Sequence, residues 1–247
     1  TKNYSTEEIS LQLDEIGSTI SFNGSDRQST IYISSLVENI DKTLQILDEK
    51  LFNPGFRKDD FKRVKKQYRE SINNSKKSAN YLGSTAAKQK MYGKSIRGVT
   101  ETVKSIDKLK LDDVENFYNK QYNSSLASIV IVGDMPQSEI VPKLDFLNKW
   151  EGSDIIINRD LLKEDINGRQ IYIVHKPGPQ SMIMIGHHGP KFDVTGEYFK
   201  SRVMNFAFGG AFNSRLNLNL REDKGYTYGI NSRFSANESD GTFYIST

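Results

Sequence analysis

The sequence predicts an α+β protein built from two successive domains. Short runs alternate apolar and polar residues, which is typical of half-buried strands, while longer runs carry apolar residues at a spacing of three to four, which is typical of helices. Both halves of the 247 residues show strand hairpins together with long helices. We therefore expect each domain to contain a mainly antiparallel sheet packed with helices.

The composition is that of an ordinary globular protein, with 36% hydrophobic and 26% charged residues and a net charge of +3. No apolar run has the length needed to span a membrane. The absence of cysteine excludes a disulfide framework and leaves both a cytoplasmic and a bacterial periplasmic location open. A basic cluster at 57–66 is interleaved with Asp59 and Asp60, so we interpret it as a solvated helix face and expect no nucleic-acid partner.

The first domain begins with a helix whose start is marked by Ser5 and Glu8, the S-x-x-E spacing of a capping box. Its buried stripe is Ile9, Leu13 and Ile16, and Gly17 ends the helix. Alternating runs at 18–22 and 29–36 predict a hairpin with one covered face. A second helix follows and stops before Pro54. Its Leu44 and Leu47 are expected to face the hairpin; its full apolar stripe is Ile40, Leu44, Leu47 and Leu51.

The rest of the first domain alternates further helices with one strand. A long helix is predicted over 58–75, with four of its residues facing the interior. Further helices are predicted at 79–91, 100–106, 111–122 and 137–148. The apolar, β-branched run at 126–132 predicts a buried strand, and Trp150 is expected to pack at the end of the last helix. The four inward residues of the long helix are Phe61, Val64, Tyr68 and Ile72.

Domain limits follow from a change in pattern. Residues 1–150 are assigned to the first domain, the mostly polar residues 151–168 to a linker, and residues 169–247 to the start of the second domain. The chain starts and stops within predicted structure, so we expect it to be part of a longer polypeptide with both domains incomplete. In the second domain strands are predicted at 170–175, 182–186, 228–234 and 242–246, and helices at 198–208 and 212–221.

The most informative segment is 206–229, FAFGGAFNSRLNLNLREDKGYTYG. A helix carrying Phe212, Leu216 and Leu220 on one face is expected to end at Gly225, before a strand. Arg221 and Tyr228 then lie where the helix passes to the strand, and both could donate hydrogen bonds to one carbonyl or carboxylate. Composition and spacing alone favour the simpler interpretation of an exposed arginine at a helix end and an ordinary strand tyrosine.

The pattern G-G-x-F-x-S-R-L followed by L-R-E-x-K-G-x-x-Y resembles the second domain of the pitrilysin/insulinase family of zinc metallopeptidases. The helix and strand at 111–134 also resemble the end of a domain of this family. The resemblance implies two pitrilysin/insulinase-like domains. It further implies that Arg221 and Tyr228 bind the substrate backbone across a chamber from the zinc ion.

The family's zinc-binding H-x-x-E-H does not occur in this sequence. A hydrolytic zinc needs three protein ligands and an open position for water. The histidines are His175, His187 and His188, and the last two are adjacent, so in a strand they face opposite sides. We interpret them as polar residues at strand ends.

The family's third ligand is a glutamate on a later helix, which corresponds here to 58–75. The resemblance to the family pattern places Ser71 at the ligand position and Val64 at the acidic position two turns earlier, and the apolar face of the helix favours this register. A register shift of one residue would place Glu70 there instead, about a hundred degrees around the helix. With Val64 and Ser71 inward, this segment is expected to bind no zinc, although zinc is expected in the complete enzyme.

The resemblance therefore predicts the non-catalytic half or subunit of a zinc metalloendopeptidase, which forms the substrate chamber and binds peptide backbone. Its partners would be a peptide substrate and the catalytic half of the same chain or a partner subunit. Two alternatives stay open. One is a catalytic half with Glu70 as ligand and the histidine pair before Thr1, and the other is a non-proteolytic structural core subunit.

Overall fold

The computed structural model describes residues 1–25, 28–153 and 168–247. It divides into two compact units, unit 1 with Thr1–Tyr68 and Lys104–Ile157, and unit 2 with Arg69–Val103 and Asn158–Thr247. The linker predicted at 151–168 lies outside the described residues from 154 to 167, so the domain limits stay a prediction. Within the described ranges, no helix is long and apolar enough to cross a membrane.

Helices and small antiparallel sheets make up both units, which confirms the α+β prediction. The strands are β1 (Thr19–Gly24), β2 (Ser29–Ser34), β3 (Met184–Gly189), β4 (Asn231–Ala236) and β5 (Gly241–Ser246). The helices are α1 (Thr6–Glu15), α2 (Ile40–Phe52), α3 (Lys58–Ser75), α4 (Ala79–Tyr92), α5 (Val103–Lys108), α6 (Leu111–Gln121), α7 (Gln137–Lys143), α8 (Glu197–Asn205) and α9 (Arg215–Asn217).

Unit 1 is built around α1, α2 and the β1–β2 hairpin. The predicted capping box is present: the Glu8 backbone N–H donates to Ser5 Oγ at 3.1 Å, and the Ser5 N–H donates to Glu8 Oε2 at 2.7 Å. Gly17 ends the first helix at φ 60°. The apolar stripes of the two helices meet the hairpin in one core of Ile9, Leu13, Ile20, Leu44, Ile46 and Leu47.

Leu47→Ala is expected to lower the free energy of unfolding by about 2–5 kcal/mol, because it removes a leucine side chain from a closed core. Leu47 is only 5% exposed in that cluster. The measurement is urea unfolding of the wild type and the variant. Leu11→Ala on α1 is the matched control, since that leucine is 62% exposed. A loss at Leu47 as small as the loss at Leu11 would show that the core is wrongly assigned.

Within unit 1, Tyr118 of α6 and Trp150 beyond α7 pack through their polar atoms and their aromatic rings. The Tyr118 hydroxyl donates to the Leu51 carbonyl, and burial raises the pKa of Tyr118 to about 12. Trp150 packs as predicted: its Nε1 donates to the Tyr122 carbonyl at 3.0 Å, and its ring meets the edge of Phe52 at 6.4 Å. Tyr118 thus joins α6 to the end of α2, and Trp150, which follows α7, joins its segment to the end of α6 and to Phe52 of α2.

The predicted inward face of α3 is only partly correct. Ile72 is buried, but Val64 and Tyr68 are exposed. The spacing of apolar residues identifies one face of a helix, whereas burial requires another element to cover that face. Among the described residues, other elements cover Ile72 but do not cover Val64 or Tyr68.

The buried strand predicted at 126–132 is wrong, since these residues join no sheet and Val130 and Val132 are exposed. The strand predicted at 170–175 is also absent, and Ile171 and Ile173 are exposed. An apolar, β-branched run becomes a strand only where another strand pairs with it. No described strand lies beside either run.

Unit 2 contains a three-stranded antiparallel sheet in the order β3-β5-β4. The helix α8 starts where Asp193 Oδ1 accepts the backbone N–H groups of Thr195 and Gly196 at 2.9 and 2.8 Å, which lowers the pKa of Asp193. At its other end Asn205 Nδ2 donates to the Ser232 carbonyl at 2.8 Å. This buried bond holds α8 against β4 and so positions the segment that follows.

Candidate functional site: the Arg221 and Tyr228 segment

The segment 206–229 is helical in two parts, and the paired glycines end the first of them. The helix α8 continues as a π-helical stretch, Phe206–Gly210, and α9 continues as a second one, Leu218–Asp223. A side-chain carbon at Gly209 would overlap Ser232, so only glycine allows this approach to β4. Gly225 has the predicted left-handed conformation at φ 63°, which reverses the chain after the second part.

Phe212 does not lie on the helix, contrary to prediction. The helix starts later, with Ser214 at the N-cap position of α9, and the Phe212 side chain is 73% exposed. Its ring lies under the Arg221 guanidinium, with Cζ 4.3 Å from the ring centroid. This cation–π contact holds the arginine against the segment between the two glycines and α9.

Arg221 lies on the second π-helical stretch, close to its end. Its Nη1 is 3.0 Å from Glu222 Oε1 in an ion pair, yet the same nitrogen is enclosed and makes no aligned hydrogen bond to a described residue. The Glu222 carboxylate is therefore close to Nη1 but away from the direction of its N–H bonds. The guanidinium is therefore held by the Glu222 charge and by the Phe212 ring. Its Nη1 donor groups form no hydrogen bond with a described residue.

Tyr228 lies in the loop before β4 and not inside a strand as predicted, because β4 begins only at Asn231. Its side chain is 94% exposed. It lines an open cleft of about 420 Å³ together with the paired glycines, Phe212 and Ile230. Phe212 thus contacts Arg221 and also forms part of the cleft that Tyr228 lines.

Sequence reasoning missed Asn217, which fixes the loop of Tyr228 relative to the helix of Arg221. This buried side chain accepts the Ile230 N–H at 3.1 Å and donates to the Ala211 carbonyl at 3.3 Å. One amide therefore joins both walls of the cleft. The only signal in the sequence is an asparagine among the leucines of a helix, where an amide needs a partner to be buried.

The histidines do not form a site with one another. His187 and His188 are consecutive residues of β3, paired with Phe243 and Thr242 of β5, and their rings lie against different aromatic residues. His187 contacts Phe243, while His188 meets the edge of Tyr92 at 5.8 Å. His175 is exposed in the extended run that forms no strand.

The residues that the structure describes do not provide a complete zinc site. Glu70 and Ser71 are both exposed on α3. Over 1–25, 28–153 and 168–247, no group of three or more histidine, cysteine, aspartate or glutamate side chains is arranged to hold a metal ion. A single carboxylate from α3 could at most complete a site whose other ligands come from elsewhere.

We expect the purified 247-residue protein to retain no stoichiometric zinc, because three ligands do not converge among its described residues. The measurement is elemental analysis after extensive dialysis, with the dialysis buffer as the blank. About one tightly held zinc ion per chain would contradict the expectation. In that case Glu70→Gln and Ser71→Ala, compared side by side, would identify the ligand position.

Two family models match the chain in succession. The model described as Insulinase (Peptidase family M16) matches residues 1–100, and that described as Peptidase M16 inactive domain matches residues 108–247. An uncharacterized zinc protease of Rickettsia felis is 24% identical over 258 residues, covering 97% of this chain and 58% of the relative. A non-peptidase homolog, YmxG, of Helicobacter pylori is 24% identical, covering 95% of this chain and 55% of the relative.

Solved structures share the fold. A peptidase M16 inactive domain from Pseudomonas fluorescens superposes with a TM-score of 0.81 at 21% identity, covering 98% of this chain and 60% of that chain. The chain thus spans less than two thirds of the length of these relatives. The inactive-domain model alone covers more than half of the sequence, and the segment with Arg221 and Tyr228 lies within it. The chain belongs to peptidase family M16, the insulinase family.

Proposed function

We propose that this chain is the non-catalytic part of an M16 zinc metalloendopeptidase and holds the backbone of peptide substrates with Arg221 and Tyr228. The observation that carries the proposal is the shared neighbour of these two residues. Phe212 supports the guanidinium and lines the cleft at which Tyr228 is exposed. Zinc and the general base come from the catalytic half of the same polypeptide or from a partner subunit.

The two side chains differ in a way that suits a peptide carbonyl. The guanidinium offers several donors in a fixed plane, and the phenol offers one donor on a rigid ring. A carbonyl oxygen gains negative charge as water attacks it, so hydrogen bonds to it strengthen in the transition state. The cleft itself is open and is lined in part by two glycines, which have no side chains to keep an extended peptide backbone away.

The comparisons support a non-catalytic role without requiring it. The inactive-domain model matches the part that carries both anchors. A relative named as a zinc protease is longer than this chain, so a zinc-binding half has a place in the complete protein. We infer that the described part contributes substrate binding while the remaining part contributes the metal centre and closes the chamber.

A second candidate is a structural subunit without proteolytic activity. The name of the Helicobacter pylori relative, a non-peptidase homolog, favours it. In that case the Arg221 segment would be kept for packing against Phe212. The third possibility, a catalytic half, depends on Glu70 and on histidines outside the 247 residues.

The deciding experiment is turnover of an unstructured peptide by the full-length protein, before and after Arg221 and Tyr228 are changed one at a time. Loss of turnover with an unchanged thermal melt supports substrate anchoring. Turnover that does not depend on either side chain overturns it. Absence of turnover in the unaltered full-length protein favours the non-proteolytic subunit.

A further inference from the structure

The direction of the Tyr228 side chain is set by the backbone on either side of it. The side chain is 94% exposed, so contacts of the ring contribute little to its direction. A catalytic hydrogen-bond donor must nevertheless be held in place, since a displacement of about 1 Å can lower a rate about a hundredfold. The residues that flank Tyr228 therefore decide whether its hydroxyl reaches a substrate.

One hydroxyl joins the residues before and after Tyr228. Thr227 Oγ1 donates to the Gly229 carbonyl at 3.0 Å and accepts the Gly229 N–H at 3.2 Å. Serine and threonine form local bonds of this kind with a backbone two residues away. The bridge restricts the φ and ψ angles of Tyr228, and these angles set the direction in which its side chain leaves the backbone.

A second threonine connects this bridge to the sheet. Thr247 Oγ1 donates to Thr227 Oγ1 at 2.6 Å and lies 3.0 Å from the Gly229 carbonyl oxygen. Thr247 and Ile183 in turn exchange both backbone hydrogen bonds, at 2.9 and 3.1 Å, beside the β3–β5 pair. A hydroxyl offers one donor and two acceptor positions, and Thr227 uses all of them here.

The residue after the bridge is fixed as well. Ile230 is 4% exposed, and its N–H donates to Asn217 at 3.1 Å. Tyr228 therefore lies at the tip of a loop that is bound to the sheet on one side and to the helix of Arg221 on the other. Thr227 is one of the positions that the pattern L-R-E-x-K-G-x-x-Y leaves open.

We propose that Thr227 is a positioning residue for Tyr228, and that its hydroxyl holds the phenol in the direction that reaches a substrate carbonyl. This role rests on the function proposed above, because Thr227 acts only through the Tyr228 hydroxyl. A donor to a developing oxyanion stabilises the transition state more than the bound substrate. Loss of the bridge is therefore expected to lower kcat and to leave KM nearly unchanged.

The test compares Thr227→Val and Thr227→Ser with the wild type, all as full-length protein. Valine keeps the branched shape without the hydroxyl, so kcat should fall about tenfold to a hundredfold while KM and the thermal melt stay nearly the same. Serine keeps the hydroxyl and should keep kcat close to the wild-type value. The Gly229 amide should exchange about tenfold faster in Thr227→Val alone, because its acceptor is lost.

A double-mutant cycle with Tyr228→Phe separates positioning from a general effect on the loop. Once the phenol hydroxyl is absent, Thr227→Val should lower kcat no further. An equal further loss in the double variant overturns the inference, and so does a wild-type kcat in Thr227→Val beside a slow Tyr228→Phe. If Tyr228→Phe itself turns over peptide at the wild-type rate, the proposed function fails and the role of Thr227 fails with it.

Discussion

Tyr228→Phe is expected to lower peptide turnover by the full-length protein about a hundredfold to a thousandfold, which is the usual effect of removing one donor to a developing oxyanion. The phenol is 94% exposed at the cleft, and no hydrogen bond of its hydroxyl to a described residue competes with substrate. Only that hydroxyl is lost in the variant. The thermal melt should therefore stay the same while kcat falls.

Tyr226→Phe is the matched control for this prediction. Tyr226 lies in the same loop and is 76% exposed, but it does not line the cleft. Its variant should turn over peptide at the wild-type rate. Equal rates for wild type, Tyr226→Phe and Tyr228→Phe would identify Tyr228 as an ordinary loop residue and favour the structural-subunit candidate.

Asp240→Ala is expected to destabilise the protein by about 3–5 kcal/mol, which is the usual cost of breaking a buried ion pair by removing one partner. The Asp240 carboxylate is 1% exposed and pairs with Arg97, whose side chain is 21% exposed. The Arg97 guanidinium also lies 4.2 Å from the centre of the Tyr92 ring. Burial raises the pKa of the neighbouring Tyr244 to about 12.

The Arg97–Asp240 pair can be separated from its surroundings by a double-mutant cycle with Arg97→Met and urea unfolding. In the Arg97→Met background, removal of the Asp240 carboxylate should lower the free energy of unfolding much less than in the wild type. The loss in the double variant should therefore be smaller than the sum of the losses in the two single variants. The exposed pair of Arg63 and Asp60, 2.8 Å apart on α3, is the control. Asp60→Ala should cause no measurable loss, and an equally small effect at Asp240 would contradict the prediction.

Features that depend on neighbours in sequence were predicted correctly. The capping box of Ser5 and Glu8, the left-handed Gly17 and Gly225, the β1–β2 hairpin and the bounds of α3 all follow from residues a few positions apart. Hydrogen bonds and backbone conformations of this kind form within one turn of chain, so local sequence specifies them. The same applies to Leu44 and Leu47, whose spacing put them on the face that meets the hairpin.

The candidate site was only partly predictable. The motif identified Arg221 and Tyr228, and Gly225 predicted the reversal between them. It did not show that Phe212 would leave the helix to support the guanidinium, that β4 would start three residues after Tyr228, or that Asn217 would join the two walls. Each of these depends on where a helix or strand begins, and packing against β4 decides that.

Only the tertiary structure decided which apolar residues are buried. The runs at 128–132 and 171–174 have strand-like composition, yet both lie exposed, whereas Asp240 is enclosed with an arginine 143 positions away. Sequence by itself determined the periodicity of each element, the caps and the family of the chain. Burial is a property of two surfaces that meet, and the second surface is distant in sequence, so the pattern of one segment cannot determine it.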